Sequence, residues 1–278
     1  MSSTLERHVV TLGAQRVGDG PAVVIGDRVS LRAQRGDAGA ILREGVALAE
    51  PAGMDDLPVI AARARGVVIG AAWTRDIPLV RAVAALGLPV VVERRHGAAL
   101  AEWLGMVDYC VAEGNDQVIL CERSDLGLLR AARAASGRPA LADVSGNIGL
   151  CTAAVAAGAD GLIVDGTPAD RRAAEEAVTL VGALLRPEVP ATLPECRRAI
   201  DRVDATLATL LERRAELAGI VQRLKPVGGF AGRDHARERE LVATMAQRAP
   251  ELGEERLAPI MNAVIEAGLH LAEERTTR

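Results

Sequence analysis

The sequence predicts two domains of different class: an α/β domain built on a parallel sheet or barrel, then an all-α domain of three helices. Three observations predict it. From about residue 9 to residue 185, short β-branched segments alternate with Ala/Leu-rich amphipathic ones, and strands apolar throughout are those buried on both faces, as in parallel sheets. From Ile200 the spacing of apolar residues changes to alternating threes and fours, one face of a helix. Between the two patterns lies Arg186-Pro187-Glu188-Val189-Pro190, a proline-punctuated linker that divides the chain into 1–186 and 187–278. A length of 278 residues suits two domains.

In the first domain the apolar runs predict strands at 22–25, 46–49, 67–69, 89–92, 118–120, 140–143 and 162–164. The amphipathic stretches predict helices near 55–64, 75–86, 98–113, 125–136, 147–157 and 168–185. In the second domain the first helix carries a seam of Ile200, Val203, Leu207, Leu210, Arg214, Leu217, Val221 and Leu224 that packs on other helices. Pro226 and the Gly-rich turn 227–232 end it, and Asp234 stands as the N-cap of a second helix with Arg237 and Glu238 one turn in. A third helix runs over about 254–274, with Leu257, Ile260, Met261, Val264, Ile265 and Leu269 facing inward.

Arg214 occupies the seam itself. A guanidinium there must be paired, because an unpaired buried charge costs several kcal/mol. Its partner is either an internal carboxylate or a carboxylate-bearing ligand. On helical geometry Arg214 and Lys225 lie roughly 16 Å apart along the axis on the same face, whereas Arg197 is roughly 42 Å from Lys225. Arg197 reaches the same pocket only from a partner chain in an antiparallel dimer. Taken singly, each of these cations is more often a solvated face than a site; together their spacing favours a site for a small dianion.

Composition narrows the function. A net charge of −4 and a pI near 5.7 give no basis for nucleic-acid binding. No run of 18 apolar residues is present, and Met1-Ser2-Ser3-Thr4-Leu5-Glu6-Arg7 lacks the pattern of a signal peptide. Cys110, Cys121, Cys151 and Cys196 have no metal-ligand spacing and read as thiols of a reduced, cytoplasmic protein.

The C-terminal residues Arg197-x-x-Ile200-Asp201-x-x-Asp204, Leu210-Leu211-Glu212-Arg213-Arg214-x-x-Leu217-Ala218, Lys225 and Asp234-x-x-Arg237-Glu238-Arg239 resemble the all-α family of chorismate mutases over all three helices. The resemblance implies two interlocked chains forming a six-helix dimer with two active sites. It implies that Arg214, and Arg197 from the partner chain, bind the substrate carboxylates. Lys225 would hydrogen-bond the ether oxygen and a carboxylate, Arg237 would support a carboxylate, and Glu238 with the Asp234 backbone would take the ring hydroxyl. The implied reaction, chorismate to prephenate, is a pericyclic rearrangement that needs no metal or cofactor. It needs a held compact conformer and donors for charge developing on the ether oxygen, which a set of cations provides. The family's third-helix Ser and Gln fall at Gly268 and Ala272. Losing a preorganised donor of that kind costs about 10²–10³ in rate, and Glu273 is one residue out of register to replace it.

The first domain is similar to the barrel of 3-deoxy-D-arabino-heptulosonate 7-phosphate (DAHP) synthase. The residues that carry this are Val17-Gly18-Asp19-Gly20, Val68-Ile69-Gly70-Ala71, Glu102-Trp103-Leu104, the run from Glu113 to Arg123 and Gly158-Ala159-Asp160-Gly161-Leu162. The resemblance implies a TIM-barrel-like fold, here degenerate and shortened by about one βα unit. The family's metal-binding Cys falls at Gly26-Asp27-Arg28, its metal-binding His at Gly146, and its last-strand Glu at Asp165. The Lys that binds phosphoenolpyruvate is Glu93, a charge reversal, and the Arg after Ile-Gly-Ala is Ala72; of the phosphate-binding set Arg123 remains. The expectation is a catalytically dead barrel acting as scaffold or regulator, sensitive to an aromatic effector, with Arg94, Glu122 and Arg123 in structural ion pairs. The whole chain is expected to be a chorismate mutase, cytoplasmic and at least dimeric, with no cofactor, metal, nucleic acid or membrane. The alternatives are a mutase or lyase of the same fold acting on isochorismate or aminodeoxychorismate, residual DAHP synthesis, and a non-catalytic bundle.

Overall fold

The computed structural model describes residues 7–34, 36–186, 188 and 190–276. Residues 1–6, on which the reading of the N-terminus rests, lie outside the described residues, as do Pro187 and Val189 of the expected linker. Contacts divide the chain into two units, Met1–Ile200 and Asp201–Arg278.

The first unit opens with an antiparallel hairpin, β1 (Val10–Leu12) and β2 (Gln15–Val17). Eight parallel strands follow: β3 (Val23–Ile25), β4 (Arg28–Ser30), β5 (Leu48–Glu50), β6 (Val67–Ile69), β7 (Val90–Glu93), β8 (Val118–Glu122), β9 (Ala140–Asp143) and β10 (Gly161–Ile163), in the order β3-β10-β9-β8-β7-β6-β5-β4. The two edge strands are consecutive in the chain, separated only by Gly26 and Asp27. Asp27 takes φ 63°, the left-handed region that few non-glycine residues enter, and turns the strand there. The first half then pairs with β10 and the second with β5. Val164 N–H donates to the Ile25 carbonyl on one side, at 2.9 Å, and Leu48 N–H to the Asp27 carbonyl on the other, at 3.4 Å. The two ends of the sheet are thus joined by one kinked passage of chain, and the eight strands form a nearly closed ring.

Alternation along the strands sorts side chains into two layers. Ile25, Leu48, Val68, Val91, Ile119, Leu141 and Ile163 point inward and pack together, closed over by Val10, Leu12 and Val17 of the hairpin. Their neighbours Val24, Ala49, Val67, Val90, Leu120, Ala142 and Leu162 face outward onto the helices. The helices are α1 (Leu31–Gln34), α2 (Ala38–Ile41), α3 (Leu57–Arg63), α4 (Ile77–Ala84), α5 (Leu100–Ala112), α6 (Leu126–Ser136), α7 (Cys151–Ala156) and α8 (Pro168–Leu185). Trp103 of α5 is buried and donates its indole N–H to the Val92 carbonyl at 3.1 Å. The start of α8 is fixed by a capping box between Thr167 and Asp170.

The expected strands are present within one or two residues of their predicted ends. The exceptions are β4 and the hairpin, which were not expected.

The helical region comprises α9 (Leu193–Leu224), α10 (His235–Ala246) and α11 (Gly253–Thr276). In the second unit, α10 packs on α11 through Val242, Leu257 and Met261, with Leu241, Met245 and Val264 at the margin. One expectation is corrected here: Ile260, expected inward, is 51 % exposed in the single chain. The α9 seam is open in the single chain, with Ile200, Val203, Leu207, Leu210, Leu217 and Val221 each 47–58 % exposed. An intrachain fold of three helices offers too few faces to cover a helix of 32 residues.

Candidate active site

Arg214, about one turn beyond Leu210 on α9, is half-buried, and its Nη1 lies 3.5 Å from the Val264 carbonyl of α11. A side chain at Gly268 would meet that same guanidinium: a Cβ built there stands 3.9 Å from Arg214 Nη1 and 3.7 Å from Ala218 Cβ. Glycine at 268 therefore leaves room beside Arg214 for a ligand group or a larger residue.

The turn after α9 places the next set. Lys225 Nζ donates to the Gly232 carbonyl at 2.8 Å, and Gly229 N–H donates to the Gln222 side chain at 2.9 Å. Gly232 admits no side chain, because a Cβ would fall 2.1 Å from the Val227 carbonyl oxygen. Asp234 caps α10, accepting from the N–H groups of Ala236 and Arg237 at 3.1 and 3.0 Å. The N–H of Arg237, then that of Ala236 and the charge of Lys225, hold the Asp234 carboxyl below the usual range. Glu238 is gripped by Arg233 at both oxygens, 3.0 and 2.8 Å, with His235 Nδ1 3.2 Å away. Those two partners, Arg233 foremost, hold its carboxyl below the ordinary glutamate value.

The mouth of the barrel is a different kind of site. Two residues beyond each inward apolar residue of β5 to β10 stand Glu50, Gly70, Glu93, Cys121, Asp143 and Asp165, so period-two alternation aims carboxylates at the axis. Gly70 makes space for Glu50, whose Oε1 would lie 2.0 Å from a Cβ at 70. Arg28 enters this ring with only 8 % of its side chain exposed, at 2.6 Å from Glu93, 3.0 Å from Asp143 and 3.5 Å from Glu50. Arg123 adds a second guanidinium 2.6 Å from Asp143 and 3.7 Å from Glu93. Burial works against the charge on Arg28, but Glu93 and Asp143 more than offset it and raise its pKa. Beside the ring, Glu122 pairs with Arg94 and accepts the N–H groups of Arg123, Ser124 and Asp125 at 2.8–3.1 Å. Burial alone would raise the Glu122 carboxyl; those bonds reverse the effect and leave it lowered.

The divalent metal that the barrel resemblance implies does not fit these residues. The carboxylates of Glu93 and Asp143 already close on a fixed guanidinium, and Gly146 has no ligand atom to offer. A cavity of about 680 Å³ remains at the mouth, lined by Arg28, Asp143, Ser145, Asp165 and Arg171 among others.

Of the expected site residues, Arg214 and Gly268 meet across α9 and α11, while Lys225, Asp234 and Glu238 follow one another around the turn into α10. Arg237 is exposed on the first turn of α10, and Ala272 lies one turn beyond Gly268 on α11. Arg197 is exposed in the second turn of α9 and falls in the first unit. Sequence reasoning missed Arg233, which bonds Asn262 at 2.8 Å and pairs with Glu266 at 3.3 Å as well as binding Glu238. The signal within reach was the i, i+4 spacing of Asn262 and Glu266, whose side chains bond at 3.0 Å.

The chain is thus a parallel α/β barrel whose mouth pairs carboxylates with Arg28 and Arg123, followed by helices that present Arg214 and Lys225. Residues 196–273 match the family model of chorismate mutase type II, so this helical segment is a chorismate mutase domain. Over 143 residues the chain is 31 % identical to phospho-2-dehydro-3-deoxyheptonate aldolase of Thermotoga maritima, covering 45 % of this chain. The chain spans only 42 % of that curated relative's length. Among solved structures, a truncated form of 3-deoxy-D-arabino-heptulosonate 7-phosphate synthase from Thermotoga maritima superposes with a TM-score of 0.52 at 23 % identity, over 64 % of this chain and 94 % of that one. The phospho-2-dehydro-3-deoxyheptonate aldolase structure of the same organism gives 0.53 at 22 % identity, over 64 % and 75 %. These likenesses establish the barrel fold of the first unit, fused to a chorismate mutase domain.

Proposed function

We propose that the protein is a chorismate mutase that rearranges chorismate to prephenate without a cofactor, in its helical domain. The observation that carries this is the coincidence of the family match over 196–273 with a half-buried Arg214 beside the space at Gly268. In the reaction the C–O bond of the enolpyruvyl ether breaks as a C–C bond forms on the ring, within one molecule. Arg214 and the partner chain's copy of Arg197 clamp the two carboxylates and hold the compact conformer. Lys225 leaves the Gly232 carbonyl to donate to the ether oxygen, where negative charge develops. Glu238, kept ionised, accepts the ring hydroxyl together with the backbone at Asp234, and Arg237 supports a carboxylate. Gly268 and Ala272 line the pocket without supplying a donor.

The exposed α9 seam supports an interlocked homodimer, since a face of that size stays solvent-exposed in few monomers. We read the barrel as catalytically silent, a scaffold or a regulatory module responsive to an aromatic product. Its carboxylates Glu50, Glu93, Asp143 and Asp165 outnumber the guanidiniums Arg28 and Arg123 that pair with them, which leaves the mouth unfavourable to a phosphate. Among the described residues no helix is long and apolar enough to cross a membrane. We place the protein in the cytoplasm, where its cysteines remain as free thiols.

The test is loss of chorismate absorbance with the full chain, prephenate being identified by acid conversion to phenylpyruvate. Turnover is expected, and Arg214→Ala should lower it at least about 10²-fold, as removal of a charge-stabilising donor does. A folded dimer that leaves chorismate intact, or an Arg214→Ala variant as active as the parent, overturns the assignment.

A further inference from the structure

We infer that Arg233 is a positioning residue of the mutase site: it orients Glu238 and ties the loop after α9 to α11. The inference rests on the reading of Glu238 given above.

Arg233 is the residue just before the cap of α10, yet its side chain is only 14 % exposed. All three guanidinium nitrogens are used. Nε and Nη2 take the two oxygens of Glu238 at 3.0 and 2.8 Å, a bidentate fork. Nη1 reaches Glu266 at 3.3 Å, and Nη2 also reaches the Asn262 side chain at 2.8 Å. Asn262 and Glu266 lie on one face of α11 and bond each other, so the acceptor site is held from its own helix. One residue earlier, the Gly232 carbonyl accepts Lys225. A single stretch, Gly232-Arg233, thus touches two of the groups assigned to the substrate, Lys225 through its carbonyl and Glu238 through its guanidinium.

A carboxylate held at both oxygens by one planar fork has its in-plane orientation fixed, and retains lone pairs for a hydroxyl proton. Lysine in place of Arg233 would keep a charge but provide one donor point, not a fork. The charged groups facing Glu238 are Arg233 from the turn, His235 and Arg239 on α10, and Glu254 and Glu266 on α11. Arg233 is the one that binds both carboxylate oxygens. Without it, the acidic residues of α11 act on Glu238 with less opposition, and its affinity for a proton rises.

The experiment is the pH profile of kcat/KM for full-length Arg233→Ala, Arg233→Lys, Glu238→Gln and the double variant Arg233→Ala/Glu238→Gln. Circular dichroism and the dimer state are measured alongside. In the parent, activity should persist to a pH below the ordinary carboxylate range. In Arg233→Ala the acid limb should move up towards the ordinary carboxylate range, and kcat/KM should fall about tenfold even at neutral pH. Arg233→Lys should restore the acid limb without restoring the rate. The double variant should be no worse than Glu238→Gln alone, as for residues that act as a unit. An acid limb unmoved in both folded Arg233 variants, or losses that multiply in the double variant, would overturn the inference while leaving the mutase assignment standing. If Glu238→Gln alone is fully active, the role assigned to Glu238 fails, and that of Arg233 fails with it. Should Arg233→Ala not fold, Arg233→Lys decides between the outcomes through the rate.

Discussion

Replacing Arg28 with methionine removes one guanidinium from among Glu50, Glu93 and Asp143, all of which are buried. The substitution preserves much of the side chain's volume, so the loss is one of charge compensation. Breaking a buried pair by removing one partner costs about 3–5 kcal/mol. Arg28→Met should lose that much in urea denaturation at neutral pH, and adding Glu93→Gln should recover part of it, because the two residues are in contact. A loss under about 1 kcal/mol, or additive losses in the double variant, would mean that Arg28 is only a guest at the mouth. The same residue marks a limit of sequence reading. Glu93 is visible in the sequence as a reversed charge, but that it answers Arg28, 65 positions earlier, depends on the kink at Asp27 and the closure of the ring.

At the scale of elements, legibility followed pattern length. β6 and the first four residues of β8 are short uninterrupted apolar runs buried on both faces, and their length and β-branched content favour strand over helix. β4 was missed because Arg28-Val29-Ser30 has one apolar residue in three, its inward side chain being the arginine. The hairpin was missed because three-residue strands carry no measurable period. In the helical domain the Asp234 cap and all three helices were legible; the clamp of Arg233 was not, since Asn262 and Glu266 come from another helix. The seam of α9 was legible as a pattern; it is half-exposed in the single chain, and the proposed dimer would cover it. A half-exposed leucine gains part of the roughly 1.5–3 kcal/mol of full burial when it is covered. A charge placed there opposes the same step. On the proposed dimer, Leu207→Asp or Leu210→Asp should therefore shift the protein from dimer to monomer in sedimentation, and turnover should fall with dissociation if Arg197 is supplied in trans. A parent protein that sediments as a monomer and turns over chorismate would remove both the dimer and the role of Arg197.

Over the whole molecule, the question is why a barrel with ion-paired carboxylates at its mouth stays attached to a chorismate mutase domain. The boundary expected from the sequence lies at 186/187, whereas contacts divide the chain at Ile200 and Asp201, inside α9. The first turns of α9, and with them Arg197, therefore group with the barrel's unit. In the proposed dimer Arg197 would reach a site on another chain, where misplacement of a carboxylate clamp by about 1 Å costs on the order of 10²-fold. The mutase pocket also lacks a side-chain donor at Gly268 and Ala272, so it has less reserve against misplacement than a site with both. Deleting residues 1–186 should leave a chain that still holds the family's segment, 196–273, yet turns over more slowly. The loss should be concentrated in KM, because the clamp contributed by Arg197 is the part disturbed. In the truncated chain Arg197→Ala should then cost less than it does in the full chain, since a clamp already loosened has less to lose. Turnover and KM unchanged by the deletion, with Arg197→Ala equally costly in both backgrounds, would show that the barrel contributes nothing to the geometry of the site.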